Sequence, residues 1–276
     1  MGKNKIPATV AILTLNSEKT LYRCLRSVKD FAEIIVCDGN SIDKTISIAR
    51  QFDARIVFQF KSEVKNIGIK DKAEARNVAL DASIYDWHFW LDSDDALSSK
   101  LVREVGRIAK LKNPSQFVYQ VPLRQIVDGK IVKYSTNLPW YQVRFFHRKT
   151  RARFVKPIHE QVSFNQNKYH TGRLTGSYDV YIDKNRLENF LANEISYARK
   201  DVESIRSNLN FRWYLRWIIG FQLTTLLGLL IRIPLQYLRF GTKETMPLKI
   251  ELSRVVGKSY VVLKSTLFLI RKLSKL

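Results

Sequence analysis

Three carboxylates, Asp92, Asp94 and Asp95, stand within four residues in the stretch DWHFWLDSDDALSSK, directly behind an apolar, aromatic run that belongs inside a protein. Carboxylates gathered so closely repel one another unless a cation sits among them. A hard divalent ion takes oxygen ligands of this kind and suits the phosphates of a nucleotide diphosphate. A further acid, Asp38, closes a second apolar run, EIIVCDG. The plainer alternative for the cluster is that Asp95 or Ser98 only caps the helix that follows.

Where these acids point depends on the elements that carry them. ATVAILTL reads as a buried strand, and Leu21, Cys24, Leu25 and Val28 fall at i, i+3, i+4 and i+7 as one apolar helix face. The alternation continues through EIIVCDG, SIDKTISIARQF, ARIVFQF, a helix around KAEARNVALDAS, WHFWLDSDD and LSSKLVREVGRIAKL. Continuous apolar strands joined by crossovers predict an α/β fold whose central sheet is mostly parallel and covered by helices. Ligands bind such sheets outside the carboxyl ends of the strands, so Asp38 and the Asp92 to Asp95 cluster should face one crevice. After Pro114 the pattern becomes antiparallel: Asp128-Gly129 between alternating runs is a hairpin signal, and YQVRFFHRKTRARFV reads as a second hairpin.

A chain of 276 residues with 45% apolar content is long enough for one full domain and an appendage. The 47 Lys and Arg against 25 Asp and Glu make a surface drawn to polyanions, whether nucleic acid, anionic lipid or phosphorylated substrate. Cys24 and Cys37 lack metal-type spacing and suit a reducing cytoplasm. MGKNKIPATVAILTLN has no small-residue cleavage site and reaches Asn16 too soon for a signal peptide, so it is read as leading into the first strand.

The stretch ILTLNSEKTLYRCLRSVKDFAEIIVCDGNSIDKTISIARQF, with ARN at Ala75 to Asn77 and then WLDSDD, resembles the nucleotide-diphospho-sugar-binding half of family 2 glycosyltransferases with the GT-A fold. The resemblance covers roughly residues 6 to 110 and rests on several ordered motifs, none of them specific alone. It implies that Thr14, Asn16 and Asp38 line a nucleoside pocket and that Arg76 and Asn77 lie on the nucleotide side. Asp92 takes the place of the ribose- or base-side acid, Asp94 that of the metal ligand, and Asp95 that of a contact to the sugar. Asp43 is assigned to the turn and helix start instead. The implied cofactor is Mg²⁺ or Mn²⁺, which would stabilise charge on the departing diphosphate.

An acceptor hydroxyl also needs a base. RFFHR followed by FVKPIHE resembles the subgroup that glucosylates lipopolysaccharide core or related lipid-linked glycans. On that resemblance Glu160 is the expected general base and His159 a metal or diphosphate contact. Asp179 and Asp183 compete for the base role, and Arg144 is available to bind phosphate. The expected activity is inverting transfer of a hexose, with UDP-glucose as the implied donor, to a lipid-linked saccharide.

From about Arg199 the composition changes, to FRWYLRWIIGFQLTTLLGLLIRIPLQYLRF and then a second apolar, basic segment. The uncharged run of fifteen residues between Arg216 and Arg232 is short of the roughly 20 that a spanning helix needs. Its Trp, Tyr and Arg flanks favour a helix lying in the interface of an anionic leaflet, with spanning and buried alternatives open. The division expected is therefore residues 1–198 as the GT-A domain, with nucleotide-sugar and acceptor halves at 6–110 and 111–198, and 199–276 as a membrane-associated region. The protein would work at the cytoplasmic face of the plasma membrane as a peripheral or monotopic enzyme. A polyprenyl-phosphate sugar transferase and a non-catalytic basic membrane adaptor are the alternatives. No nucleic-acid-binding motif is visible, and none is expected to bind.

Overall fold

The computed structural model describes residues 5–62, 64–69, 71–156, 160–206 and 210–274, the side chains of Asn185 and Arg206 excepted. The chain divides into two compact units, one of residues 1–124 and 139–180, the other of residues 125–138 and 181–276.

In the first unit the βα alternation forms as its periodicity predicts. β1 (Ile6–Thr14), α1 (Leu21–Val28), β2 (Phe31–Asp38), α2 (Thr45–Arg50), β3 (Arg55–Phe58), α3 (Lys72–Ala82) and β4 (Trp87–Asp92) follow one another. The short β5 (Asp95–Leu97) and α4 (Ser99–Ala109) come next. Ala8, Val10 and Ile12 of β1 pack with Leu21, Leu25 and Val28 of α1 and with Leu101 and Val105 of α4. Ala11 and Leu13, which point the other way, pack with Ala75 and Ala79 of α3. Both faces of the strand are covered, which is why it is apolar without alternation.

The helix starts are fixed locally. The Asp71 carboxylate accepts from the Glu74 amide at 3.0 Å to open α3, and Ser98 accepts from the Leu101 amide at 3.3 Å to open α4. Of the two residues weighed as caps for α4, Ser98 takes the role, and Asp95 lies in a strand, buried.

β6 (Val118–Val127), β7 (Lys130–Val132), β8 (Tyr141–His147), β9 (Arg153–Val155), β10 (Gln161–Ser163), β11 (Thr171–Arg173) and β12 (Tyr178–Ile182) complete the strands. The main sheet runs β3-β2-β1-β4-β8-β6-β12-β5, parallel from β3 to β4 and antiparallel where β8 joins β4 and β6. The hairpin expected in YQVRFFHRKTRARFV does not form. β8 is inserted between β4 and β6, and β9 pairs β10 instead. Arg144, Phe145 and Phe146 are all buried in β8, so this strand has two faces to cover and takes an inner position.

The Asp128-Gly129 hairpin does form. Both residues take positive φ, 48° and 75°, the pair of left-handed conformations that a two-residue turn of this type needs. It belongs to the second unit, where Val127 and Val132 pack with Ile182, Met246 and Ile250. That unit also holds α5 (Lys184–Glu188), α6 (Phe190–Arg206), the long helix α7 (Phe211–Phe240) and α8 (Leu248–Leu273). The buried Glu251 carboxylate of α8 accepts from Ser135 Oγ at 2.8 Å, from the Thr136 amide at 3.0 Å and from Arg254 at 2.9 Å. Residues 125–138 are therefore tied to the C-terminal helices.

Candidate active site

Parallel register brings the first acids together. Thr14 is paired with Asp38, and Leu13 with Asp92, so the three strand ends β1, β2 and β4 finish side by side. The Asp38 carboxylate is buried and accepts from Thr14 Oγ1 at 2.8 Å, Ser41 N at 2.7 Å and Ser41 Oγ at 2.6 Å. It thereby closes the loop after β2. Gly39 beside it leaves room for the Ile67 carbonyl, which would lie 2.9 Å from a Cβ at this position. Asn16 stands on the exposed rim with φ of 48°, its side chain accepting from the Ile42 amide at 3.0 Å and donating to Asn66 at 2.7 Å. Asp43 accepts from the amides of Thr45 at 2.9 Å and Glu18 at 3.0 Å, holding the start of α2 to the β1 loop.

The carboxyl end of β4 carries an ionic ladder of five residues drawn from four parts of the chain. Glu160 Oε1 accepts from Arg76 Nε at 3.0 Å and pairs with Nη2 at 2.9 Å. Arg76 Nη2 also donates to Asp92 Oδ1 at 2.7 Å. Asp92 Oδ2 lies 4.0 Å from Arg144, whose Nη1 donates to Asp95 Oδ2 at 3.1 Å. Both arginines are almost wholly buried. The Trp90 ring accounts for that burial: the Arg76 and Arg144 guanidinium carbons lie 4.0 Å and 3.7 Å from its centroid. Its indole N–H donates to the Val143 carbonyl at 2.8 Å, which fixes the ring plane. Tyr178 takes up Arg144 from a second ring at 4.0 Å. Cation–π contact of this kind strengthens when water is excluded.

The ladder sets its acids apart. For Asp92, which is half-buried, burial works to raise the pKa but is outweighed by Arg76 and Arg144, which hold the carboxyl well below the usual range. Burial pushes the Asp95 carboxyl up to about 7, against the pull of Arg144 and with repulsion from Asp92 and Asp94 adding to the rise. Neighbouring carboxyls driven in opposite directions are a mark of functional sites. Asp94, at the turn between β4 and β5, is half-buried. Among the described residues no three His, Cys, Asp or Glu side chains form a ready metal site. Mg²⁺ and Mn²⁺ are commonly held by one or two carboxylates together with substrate phosphates, and Asp94 and Asp92 are the residues that could supply them here.

The remaining predicted residues fall as follows. Asn77 spends its amide on β9: it donates to the Phe154 carbonyl at 2.9 Å and accepts from the Phe154 amide at 3.0 Å, anchoring the strand that precedes Glu160. Asp179 is held by Arg124 through two bonds of 2.8 Å and 2.5 Å and by Ser177 at 2.9 Å. Asp183 accepts from the Arg186 amide at 2.8 Å and opens α5. His159 lies outside the described residues. Trp90 was not singled out in the sequence, although an aromatic residue two places before Asp92 on the same strand is the signal that marks it.

The family model described as glycosyl transferase family 2 matches residues 9–168, more than half of the chain. The chain belongs to that family. It is 29% identical to the SPbeta prophage-derived glycosyltransferase SunS of Bacillus subtilis over 154 residues, 55% of this chain and 34% of that protein. It is 26% identical to an uncharacterized glycosyltransferase of Rickettsia felis over 208 residues, 72% of this chain and 65% of that one. The chain thus spans about a third of the first relative and under two thirds of the second. The crystal structure of S. aureus TarS 1-349 is similar over 94% of this chain and 90% of that one, with 16% identity and a TM-score of 0.47. The mixed α/β architecture, with β3 to β4 parallel, is consistent with the GT-A fold.

Proposed function

We propose that the first unit is a metal-dependent, inverting glycosyltransferase that moves a hexose from a nucleotide-diphospho-sugar to a lipid-linked saccharide of the lipopolysaccharide-core type. The observation that carries this reading is the ladder itself: Arg76 joins Glu160 to the Asp92 to Asp95 cluster by direct hydrogen bonds. In this reading Glu160 is the base for the acceptor and the DSDD acids serve the donor, a pairing that the shared Arg76 contacts support. UDP-glucose is the donor we favour, and the cytoplasmic face of the plasma membrane is the place where such an acceptor is met.

The chemistry follows from the positions. Thr14, Asn16 and Asp38 shape the rim on which the nucleoside would rest, and Asp92 would face the ribose, while Asp95, buried against Arg144, would act on the sugar side by holding that arginine. A divalent ion held by Asp94 and Asp92 would offset the charge left on the diphosphate. Arg76 engages Oε1 of Glu160 through both of its bonds, and none is formed to Oε2 among the described residues. Oε2 can then take the proton from the acceptor hydroxyl while that oxygen bonds to the anomeric carbon and the bond to the diphosphate breaks. Attack from the side opposite the leaving group gives inversion.

A donor-hydrolysis screen over nucleotide sugars, with and without Mg²⁺ or Mn²⁺, tests the reading. Metal-dependent release of one nucleoside diphosphate is expected, and no release from any donor would overturn it. Transfer to a purified polyprenyl phosphate without a saccharide would shift the acceptor to the lipid phosphate class.

A further inference from the structure

Helices α7 and α8 run antiparallel in the second unit. The Tyr214 and Thr266 hydroxyls are 2.8 Å apart, Lys258 Nζ donates to Gln222 Oε1 at 3.0 Å, and the Tyr237 hydroxyl donates to the Met246 carbonyl. Ile218, Gln222, Leu229 and Ile233 form the buried stripe of α7. Most of the rest of that helix is exposed and still apolar, with Trp217, Phe221, Leu227, Ile231, Leu235 and Leu238 in the open, Leu238 at 83%. Leu252, Leu263 and Leu267 of α8 are exposed as well. Contiguous apolar surface on this scale marks an interaction face.

The charges identify the partner. From Phe211 to Ser274 the chain carries eleven Lys and Arg, and its acids are Glu244 and Glu251 alone. Glu251 is buried and neutralised internally by Arg254. An apolar face edged by cations fits an anionic lipid leaflet.

The pairing of the two helices also decides how deep they go. α7, 30 residues long, has the length and composition to cross a bilayer. Its uncharged run, however, lies against the part of α8 that holds Lys258, bonded to Gln222, and the Glu251–Arg254 pair at 2.9 Å. A crossing α7 would take these groups with it, and one such charge at the bilayer centre disfavours insertion on the order of 100-fold. In the interface the long basic side chains reach water while their stems stay in the apolar layer. We propose that α7 and α8 form a monotopic module that docks on anionic phospholipid and lies in one leaflet without crossing it. This proposal is independent of the transferase reading, because vesicle binding requires neither donor nor acceptor.

The test is flotation of the full chain with sealed vesicles of phosphatidylcholine alone or containing about one third phosphatidylglycerol. Binding at least about tenfold stronger to the anionic vesicles, and weakened by salt, is expected. The combined Leu227→Glu, Leu235→Glu and Leu238→Glu variant changes only exposed side chains. It should keep its circular dichroism and lose flotation, and any donor hydrolysis should persist. A Lys243→Cys variant locates the connection between the helices against a quiet background, because Cys24 and Cys37 are buried. A membrane-impermeant maleimide added outside the vesicles should label it. Protection from that reagent until the vesicles are opened would show that the hairpin crosses, and would overturn the proposal. So would equal binding to neutral vesicles, flotation unaffected by the three glutamates, or a stable dimer that covers this face and does not float.

Discussion

Arg76→Met removes the rung on which Glu160 and Asp92 both depend, and the two halves of that loss should differ in size. Arg76 and Glu160 have side chains 2% and 10% exposed, so deleting the cation leaves a carboxylate stranded in a nearly dry site. Breaking a buried pair in this way costs about 3–5 kcal/mol. The Asp92 side chain is 36% exposed, so water screens its share, which should be nearer 1 kcal/mol. A urea titration followed by circular dichroism should show the Arg76→Met midpoint lower by about 1 M or more, for a slope of about 1–3 kcal/mol per molar. The cycle with Glu160→Gln separates the terms, since the neutral amide no longer needs the guanidinium. The double variant should recover part of the loss, with a coupling of about 2 kcal/mol or more. The matching cycle with Asp92→Asn should give about 1 kcal/mol, and only this coupling should shrink when salt is raised to about 1 M, where the screening length falls to about 3 Å. A coupling to Glu160 below about 0.5 kcal/mol, or equal salt dependence in both cycles, would refute the ladder as an energetic unit.

Asp94→Ala should abolish metal-dependent turnover with circular dichroism unchanged, and unaltered turnover without added metal would count against its assignment. For Glu160→Gln, kcat should fall by about 10² to 10⁴ while donor affinity in calorimetry is kept; a collapse of donor affinity would make it a binding residue. His88 is wholly buried and burial pushes its pKa down to about 3, so between that value and the unfolded value of about 6.5 the unfolded chain binds more protons. Stability should therefore be lost as pH falls from about 6.5 toward 3, by up to about 1 kcal/mol per pH unit, and urea midpoints of His88→Gln across that range should show a shallower slope. A chain ended after Arg206 strips Met246 and Ile250 from Val127, Val132 and Ile182, so it should aggregate in sedimentation; a soluble monomer would show that this cluster is dispensable.

What was legible in the sequence is what local period and topology encode. Leu21, Cys24, Leu25 and Val28 are all buried, as their helical spacing requires, and strand ends in a parallel sheet bring Thr14, Asp38 and Asp92 to one edge without any knowledge of side-chain contacts. The ladder was not legible, because no period relates Arg76 to Glu160, 84 positions away. Asn77 illustrates the same limit: its place in the ARN triplet suggests a ligand contact, whereas register puts the Phe154 backbone within reach of its amide. The insertion of β8 next to β4 depends on pairing between distant strands, and the hairpin signal in its own stretch pointed elsewhere. The change of composition near Arg199 was visible, yet the shared cluster with residues 125–138 joins segments that differ in texture.

These long-range contacts also account for the spacing of the opening cluster. Strand alternation would turn Asp92 and Asp94 to one face, but the chain turns after Asp92, and β5 begins at Asp95 with its carboxylate buried against Arg144. Asp92 is drawn the other way, to Arg76. The two guanidiniums, which share the Trp90 ring, so divide the outer acids of the DSDD stretch between them; Arg76 and Arg144 hold the Asp92 carboxyl low, while burial raises that of Asp95 against the pull of Arg144. Three acids on one loop thereby become tolerable side by side. The acids at this edge of the sheet are oriented by fixed ion pairs, Asp92 by Arg76 and Asp95 by Arg144. The same two arginines, buried against Trp90, thus tie α3, β4, β5 and β8 together at one edge of the sheet.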